Sequence, residues 1–347
     1  VPSIWIVSAD GSGAPRLLVE ETFSPSTPRW SPDGRAIAFQ VGSINAIELG
    51  LDVIDLETVE RRQLARRAGS HGFTWRHDGS GLVYSSSIGS TLLYPPIFNL
   101  RTVDRNGQND RELTFGDTSF LEPDIHASGA IVATRARSRS DIWRFPVTGT
   151  PAENTAAAVR VTHQSGHVQT PSVSPDESEV VFVSDNGGHG NLWVPGTDGA
   201  SARQITFDTE PEVSIGMPTW SPTGEWIAFL VANPPTTGLF LIRPDGSDRR
   251  PIGPVRGWHA SWSPDGQWLY YSTPNEAGLR LEKARVDDGQ IAVVYDNVTG
   301  RANPPGDGST LAFARTGDSR LLGRWSGESE VAAVQPVGTT RSLGPLR

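Results

Sequence analysis

The chain has 347 residues, a formal net charge of −9 and no cysteine. The missing thiols exclude a disulfide framework and thiolate chemistry, and the dispersed acidic residues argue against a nucleic-acid surface. No stretch approaches the roughly 18 apolar residues of a membrane span, and no signal-peptide pattern is visible.

Val1 starts almost directly on strand pattern, as in a mature chain or an excised piece of a longer one. Residues 3–19 hold Ile4-Trp5-Ile6-Val7, Asp10-Gly11 and Arg16-Leu17-Leu18. They read as two strands of a unit that lacks its first two. Then comes Trp30-Ser31-Pro32-Asp33-Gly34, followed by the apolar run Ala36-Ile37-Ala38-Phe39. Ser, Pro and Gly stand where a type I turn favours them, and the flanking runs read as strands of a hairpin.

The stretch recurs. Trp262-Ser263-Pro264-Asp265-Gly266 repeats it unchanged, and Trp220-Ser221-Pro222-Thr223-Gly224 changes one residue. Weaker copies begin at Trp75 and Val173, and decayed ones at Ile125 and Pro304. Their spacings, 45, 50, 48, 47, 42 and 42 residues, are the sign of a propeller or solenoid array. Each repeat offers four strand-like runs, in the first case residues 26–30, 36–41, 51–56 and 62–64. Second strands follow at 81–85, 130–134, 179–184, 226–231, 268–272 and 310–315. Third strands are read at 97–103, 141–146, 191–194, 239–243 and 279–286. Fourth strands are read at 111–114, 160–162, 203–206, 249–252 and 291–295. Asp10-Gly11, Asn106-Gly107, Asp198-Gly199, Asp245-Gly246 and Asp288-Gly289 supply the positive φ of the hairpin turns between third and fourth strands. No segment has a helical apolar period long enough to compete.

These runs predict an all-β fold over residues 1–347. It is a single domain, a seven-bladed β-propeller of four-stranded antiparallel blades. The Trp beside each turn, together with Phe39, Phe182, Phe229, Phe313 and Tyr84, is expected to pack between blades. The ring is expected to close by joining N- and C-terminal strands in one blade, with 301–303 and 310–315 completing the N-terminal pair. Residues 331–334 and 341–343 offer a competing third and fourth strand.

The pattern Ser174-Pro175-Asp176, Val181-Phe182-Val183-Ser184-Asp185, Asn191-Leu192-Trp193-Val194, Asp198-Gly199, Arg203-Gln204-Ile205-Thr206 resembles the TolB-like β-propeller repeat, a WD-like Pro-Asp repeat. The resemblance covers nearly the whole chain. It implies the propeller fold. It also implies a range of roles: periplasmic scaffold, sensor region of a kinase or regulator, or gating propeller of a protease. Function is grafted on such a fold rather than given by it.

There is no Gly-x-Ser-x-Gly elbow and no phosphate-cradling loop opening a helix. His71, His167 and His259 lie shortly before their repeat anchors, where the chain reaches the innermost strand; Glu122, Gln169, Trp258 and Arg301 hold comparable places. These seven form the expected ligand-binding set at the channel mouth, with Trp258 as anchor because aromatic and Arg side chains dominate interface energies. The leading expectation is a non-enzymatic, extracytoplasmic and monomeric binding module. Its partner is a protein, a peptide or a small ligand, with no nucleic acid and no cofactor. One alternative is a metal-dependent lyase or hydrolase with His71, His167, Gln169 and His259 around a divalent ion. Oligogalacturonate lyases are propellers of that kind, and the chain is similar to them here only in His167-Val168-Gln169. Another alternative is a gating or sensor domain of a larger protease or kinase. The loop Asp185-Asn186-Gly187-Gly188-His189-Gly190-Asn191 reads as a flexible turn rather than a calcium loop, since spaced carboxylates are missing. Arg62, Arg111, Arg160 and Arg203 read as a charged outer rim, and Pro95-Pro96 and Pro234-Pro235 as rigid loops.

Overall fold

A computed structural model describes residues 2–20, 25–42, 50–66, 68–93, 95–195, 202–232, 237–254, 256–275, 278–303, 312–315 and 322–324. The expected Asp198-Gly199 turn, the Pro304 anchor, Pro234-Pro235, the side chain of Phe313 and the strands at 331–334 and 341–343 lie outside the described residues. The chain falls into two compact units, one of residues 1–90 and 95–138, the other of 91–94 and 139–347.

The first unit opens with the antiparallel pair β1 (Ser3–Ile6) and β2 (Arg16–Glu20). A four-stranded antiparallel sheet follows: β3 (Pro25–Trp30), β4 (Ala36–Val41), β5 (Gly50–Asp55) and β6 (Arg61–Arg66). A second contains β7 (Ala68–Trp75), β8 (Gly81–Ser86), β9 (Asn99–Asp104) and β10 (Arg111–Glu112). β11 (Ser119–Ile125) and β12 (Ile131–Ala136) complete the unit as a pair. The second unit has the pair β13 (Trp143–Arg144) and β14 (Val159–Arg160), joined through α1 (Pro151–Ala156). Two four-stranded sheets follow. The first is β15 (Val168–Val173), β16 (Val180–Ser184), β17 (Asn191–Val194) and β18 (Arg203–Gln204). The second is β19 (Ser214–Trp220), β20 (Ile227–Ala232), β21 (Gly238–Ile242) and β22 (Arg250–Ile252). The last sheet has six strands: β23 (Trp258–Trp262), β24 (Trp268–Asn275), β25 (Gly278–Arg285), β26 (Ile291–Asn303), β27 (Ala312–Arg315) and β28 (Leu322–Arg324).

The recurrent turn is built from its own residues. Ser31 N donates to Ala36 O at 2.8 Å and Gly34 N to Ser31 O at 2.9 Å. Ser31 Oγ donates to Asp33 Oδ1 (2.5 Å) and accepts from Ala36 N (2.9 Å), while Arg35 N donates to Asp33 Oδ1 (3.0 Å). Ser174 with Asp176 and Ser263 with Asp265 repeat this wiring. Thr223 keeps it at Ser221 with a hydroxyl. The buried serine thus satisfies a main-chain amide that sheet pairing leaves open.

The second strands are buried on both faces, consecutive residues being inaccessible along β8, β16 and β20. Phe39, Tyr84, Phe182 and Phe229 are fully buried, as expected for their shared place in the second strands. Within each unit, neighbouring sheets are also stitched by indole groups: Trp75 Nε1 donates to Arg29 O at 3.0 Å and Trp262 Nε1 to Thr219 O at 3.1 Å. Trp30 departs from the expectation at 54 % exposure. The β1–β2 pair places Ile4 and Val19 on Ile37, Phe39 and Ile54, and has no strand to lay over Trp30.

Four further differences are found. The strands read as one third blade lie in two pairs, β11–β12 and β13–β14, in different units. The run from Arg135 to Ser140 between them offers no apolar side chain larger than that of Ala136 for a shared core. The sixth repeat's last strand runs on into the seventh's first as one 13-residue strand, so the expected boundary between those blades is a continuous sheet. Among the described residues β1–β2 pairs with no other strand, while β27, expected to complete it, pairs with β26 and β28. A helix is also present. Thr150 caps α1, its hydroxyl accepting from Glu153 N while the Glu153 carboxylate accepts from Thr150 N. The signal Thr150-Pro151-Ala152-Glu153 is a capping box with proline at the first turn.

Candidate functional site

The first strands of the four four-stranded sheets, of the β11–β12 pair and of the six-stranded sheet are edge strands with a β-bulge at a fixed place. Pairing slips between Ser26 and Arg29, Ala68 and Phe73, Leu121 and Asp124, Gln169 and Ser172, Gly216 and Thr219, and Trp258 and Ser261. Three residues before each turn anchor, the backbone takes positive φ: Thr27 (52°), Gly72 (95°), Glu122 (51°), Thr170 (50°), Met217 (52°) and His259 (58°). Five of the six are not glycine. The left-handed conformation costs an L residue about 1–2 kcal/mol. In exchange the bulge turns the side chain away from the strand's regular alternation. Gln169, Gly216 and Trp258 are buried, while the following Thr170, Met217 and His259 are half-buried. Glu122 and Thr27 are exposed.

In the first unit two bulges touch. A Cβ on Gly72 would stand 2.8 Å from Glu122 Cα, so only glycine fits there. His71, exposed, sets its ring edge-on to Phe98 at 4.4 Å between centroids. In the second unit Asp185 holds His167 twice: Oδ1 accepts from His167 N (2.6 Å) and Oδ2 lies 2.9 Å from Nδ1. A Cβ on Gly166 would fall 2.4 Å from Asp185 Oδ1, which makes glycine necessary beside the pair. With Nδ1 turned to the carboxylate, Nε2 is the ring nitrogen on the opposite side of the imidazole from that contact.

Of the sequence-predicted set, His71 and Glu122 lie in the first unit, and His167, Gln169, Trp258, His259 and Arg301 in the second. Gln169 and Trp258 are only 7 % and 8 % exposed, so their strands present Thr170 and His259 instead. Arg301 is on β26 and its side chain lies outside the described residues. Among the described residues no three His, Asp or Glu side chains stand close enough to hold an ion. The loop at 185–191 is tied by the protein itself. Asp208 N and Thr206 Oγ1 donate to Asn191 Oδ1, and the His189 ring nitrogens lie 3.1 Å from Gly190 O and 2.9 Å from Glu210 O. Of the fourth-strand arginines, Arg62 pairs with Glu60, Arg160 with Asp141 and Arg203 with Glu179.

Sequence reasoning missed Thr27, Thr170 and Met217. Their signal was present: proline follows the bulge residue in Thr27-Pro28, Glu122-Pro123, Thr170-Pro171 and Met217-Pro218. Proline lacks the amide that a regular ladder needs, so within strands it marks bulges.

Repeated four-stranded antiparallel sheets, each with this turn and this bulge, define a propeller-type repeat protein. The chain belongs to the TolB beta propeller domain family, which matches residues 2–205, more than half its length. It is 30 % identical over 227 residues to a probable dipeptidyl-aminopeptidase B of Colletotrichum graminicola, covering 52 % of this chain and 24 % of that one. It is 25 % identical over 175 residues to the Tol-Pal system protein TolB of Anaeromyxobacter dehalogenans, covering 50 % and 38 %. It thus spans less than half the length of either relative. Among solved structures, an oligogalacturonate lyase in complex with manganese aligns over 90 % of this chain and 93 % of that one, at 15 % identity and a TM-score of 0.41.

Proposed function

We propose that the chain is a non-enzymatic binding module, a ring of seven blades whose first strands offer bulged side chains to a protein or peptide partner outside the cytoplasm. The observation that carries this reading is the row of positive-φ residues. A backbone strained at the same place in repeat after repeat, with a different side chain each time, suits a surface that is read side chain by side chain. Thr170, Met217 and His259 form the contact row in the second unit, with His167 beside it; His71 and Glu122 belong to the first unit's share, and Arg301 joins by its place on β26. A second reading, a propeller that screens substrates for a peptidase, is supported by the match to a probable dipeptidyl-aminopeptidase B.

The test is site-specific photo-crosslinking in cells of the source organism. A crosslinker at position 259 is expected to trap a discrete partner that one at position 62, on the outermost strand β6, does not. Identical adducts from both positions would overturn the reading, and a peptidase domain encoded in the same reading frame would favour the second.

A further inference from the structure

The loop between β8 and β9 carries three residues, Thr91, Leu92 and Leu93, that fold as part of the second unit. Leu92 is 1 % exposed and makes a parallel bridge to Ile215 on β19. β19 is the edge strand of its sheet, so the bridge uses main-chain groups that no neighbouring strand of the sheet takes. Gly190 N donates to Thr91 Oγ1 at 2.9 Å. Leu93 packs beside Met217 on the apolar core between the β19 and β23 sheets. The receiving surface is cut to this segment. A Cβ on Gly190 would stand 2.2 Å from Thr91 O, and one on Gly216 would stand 2.7 Å from Leu93 Cδ1. The foot of the loop is closed separately, Ile97 N donating to Ser90 Oγ at 2.9 Å.

A backbone bridge on a strand edge, a buried alternate side chain and two glycines that clear room for the visitor are the parts of strand-addition recognition. We propose that Thr91–Leu93 occupies, in cis, an acceptor site for an extended peptide, and that the ligand in trans carries a small hydroxyl residue followed by two leucines. The carbonyl of the first residue fits over Gly190, its hydroxyl takes the Gly190 amide, the first leucine is buried beside Ile215, and the second lies on Gly216 next to the bulged Met217. The inference rests on the binding-module reading and names the class of partner at one part of the same surface. A tethered segment competes at an effective concentration in the millimolar range. The apparent affinity for a free peptide is then reduced by the fraction of molecules whose loop is open.

The probe is the dye-labelled peptide Ser-Thr-Leu-Leu-Tyr-Pro, a copy of residues 90–95, titrated into the full chain and followed by anisotropy. A variant with Thr91→Gly, Leu92→Ser and Leu93→Gly is expected to bind it saturably, at least about tenfold more tightly than the parent. Adding Gly216→Val is expected to abolish that binding. A folded triple variant that does not bind, or binding equal in parent and variant, overturns the proposal. If the triple variant does not fold, Leu92→Ala decides: it weakens the cis contact and must raise peptide affinity, and no gain overturns the proposal. A partner crosslinked at position 259 together with a peptide that fails these tests sinks this inference alone and leaves the binding-module reading standing.

Discussion

Replacing Glu177 with glycine should stabilise the protein. Glu177 closes the turn opened by Ser174 and has φ 60°, whereas Gly34, Gly224 and Gly266 hold the same position at 68°, 74° and 70°. A side chain in that conformation costs about 1–2 kcal/mol. Glycine's extra freedom in the unfolded chain takes back about 0.5–1 kcal/mol, leaving a net gain of roughly 0.5–1 kcal/mol. The opposite exchange, Gly266→Glu, adds the same strain and puts a Cβ 2.9 Å from Thr223 Cγ2. Strain and crowding together place its cost at about 1–3 kcal/mol. Equilibrium urea unfolding followed by tryptophan fluorescence reads both, and the two variants must move the midpoint in opposite directions. A Glu177→Gly protein no more stable than its parent, or a Gly266→Glu protein that matches it, would refute the turn geometry as the source of the repeat's Gly.

Ser263→Ala removes the hydroxyl that accepts from Trp268 N and donates to Asp265, in a residue only 5 % exposed. The orphaned amide makes this a loss of about 1–3 kcal/mol, measured by the same unfolding assay. Acid sensitivity follows from Asp176, whose carboxylate is held near a pKa of about 2 by the hydroxyls of Ser174 and Ser178 and the amide of Ser178. A depressed folded pKa gives stability that is present above the unfolded value of about 3.9 and is lost as pH falls toward 2. Asp176→Asn should therefore lower the thermal midpoint at pH 6, and the deficit should shrink as the pH falls below about 4. A deficit that stays constant down to pH 2.5 would show that the carboxylate's charge is not what the turn uses.

Much of the fold was legible because its signals are local. The Ser-Pro-Asp-Gly turn is wired by bonds between residues two to five apart, so the residues that need each other are adjacent in the chain. The apolar runs around Phe39, Phe182 and Phe229 marked the buried second strands, which the structure covers on both faces, and the observed strands lie within a few residues of those read from the pattern. Short-range reasoning also failed where a local signal was present but unread. Thr150 to Glu153 spells out a helix start, and the repeated proline spells out the bulge.

The candidate site was legible only by neighbourhood. Counting back from each anchor reached the right stretch of the first strand and found the bulge residues Glu122 and His259, but missed Thr27, Thr170 and Met217. In a regular strand Gln169 and Thr170 would simply alternate. The bulge breaks that alternation, buries Gln169 and lifts Thr170, and the same step separates buried Trp258 from half-buried His259. The sequence alone determined a repeat of four strands and a tight turn, since each depends on side chains a few positions away. Tertiary structure decided that Trp30 lies uncovered, that Gly72 must yield to Glu122, and that Thr91–Leu93 settle on β19. The last two depend on main chain brought in from outside the repeat, 50 residues away for Gly72 and Glu122 and 123 for Leu92 and Ile215, and no pattern within one repeat encodes where that distant backbone will lie.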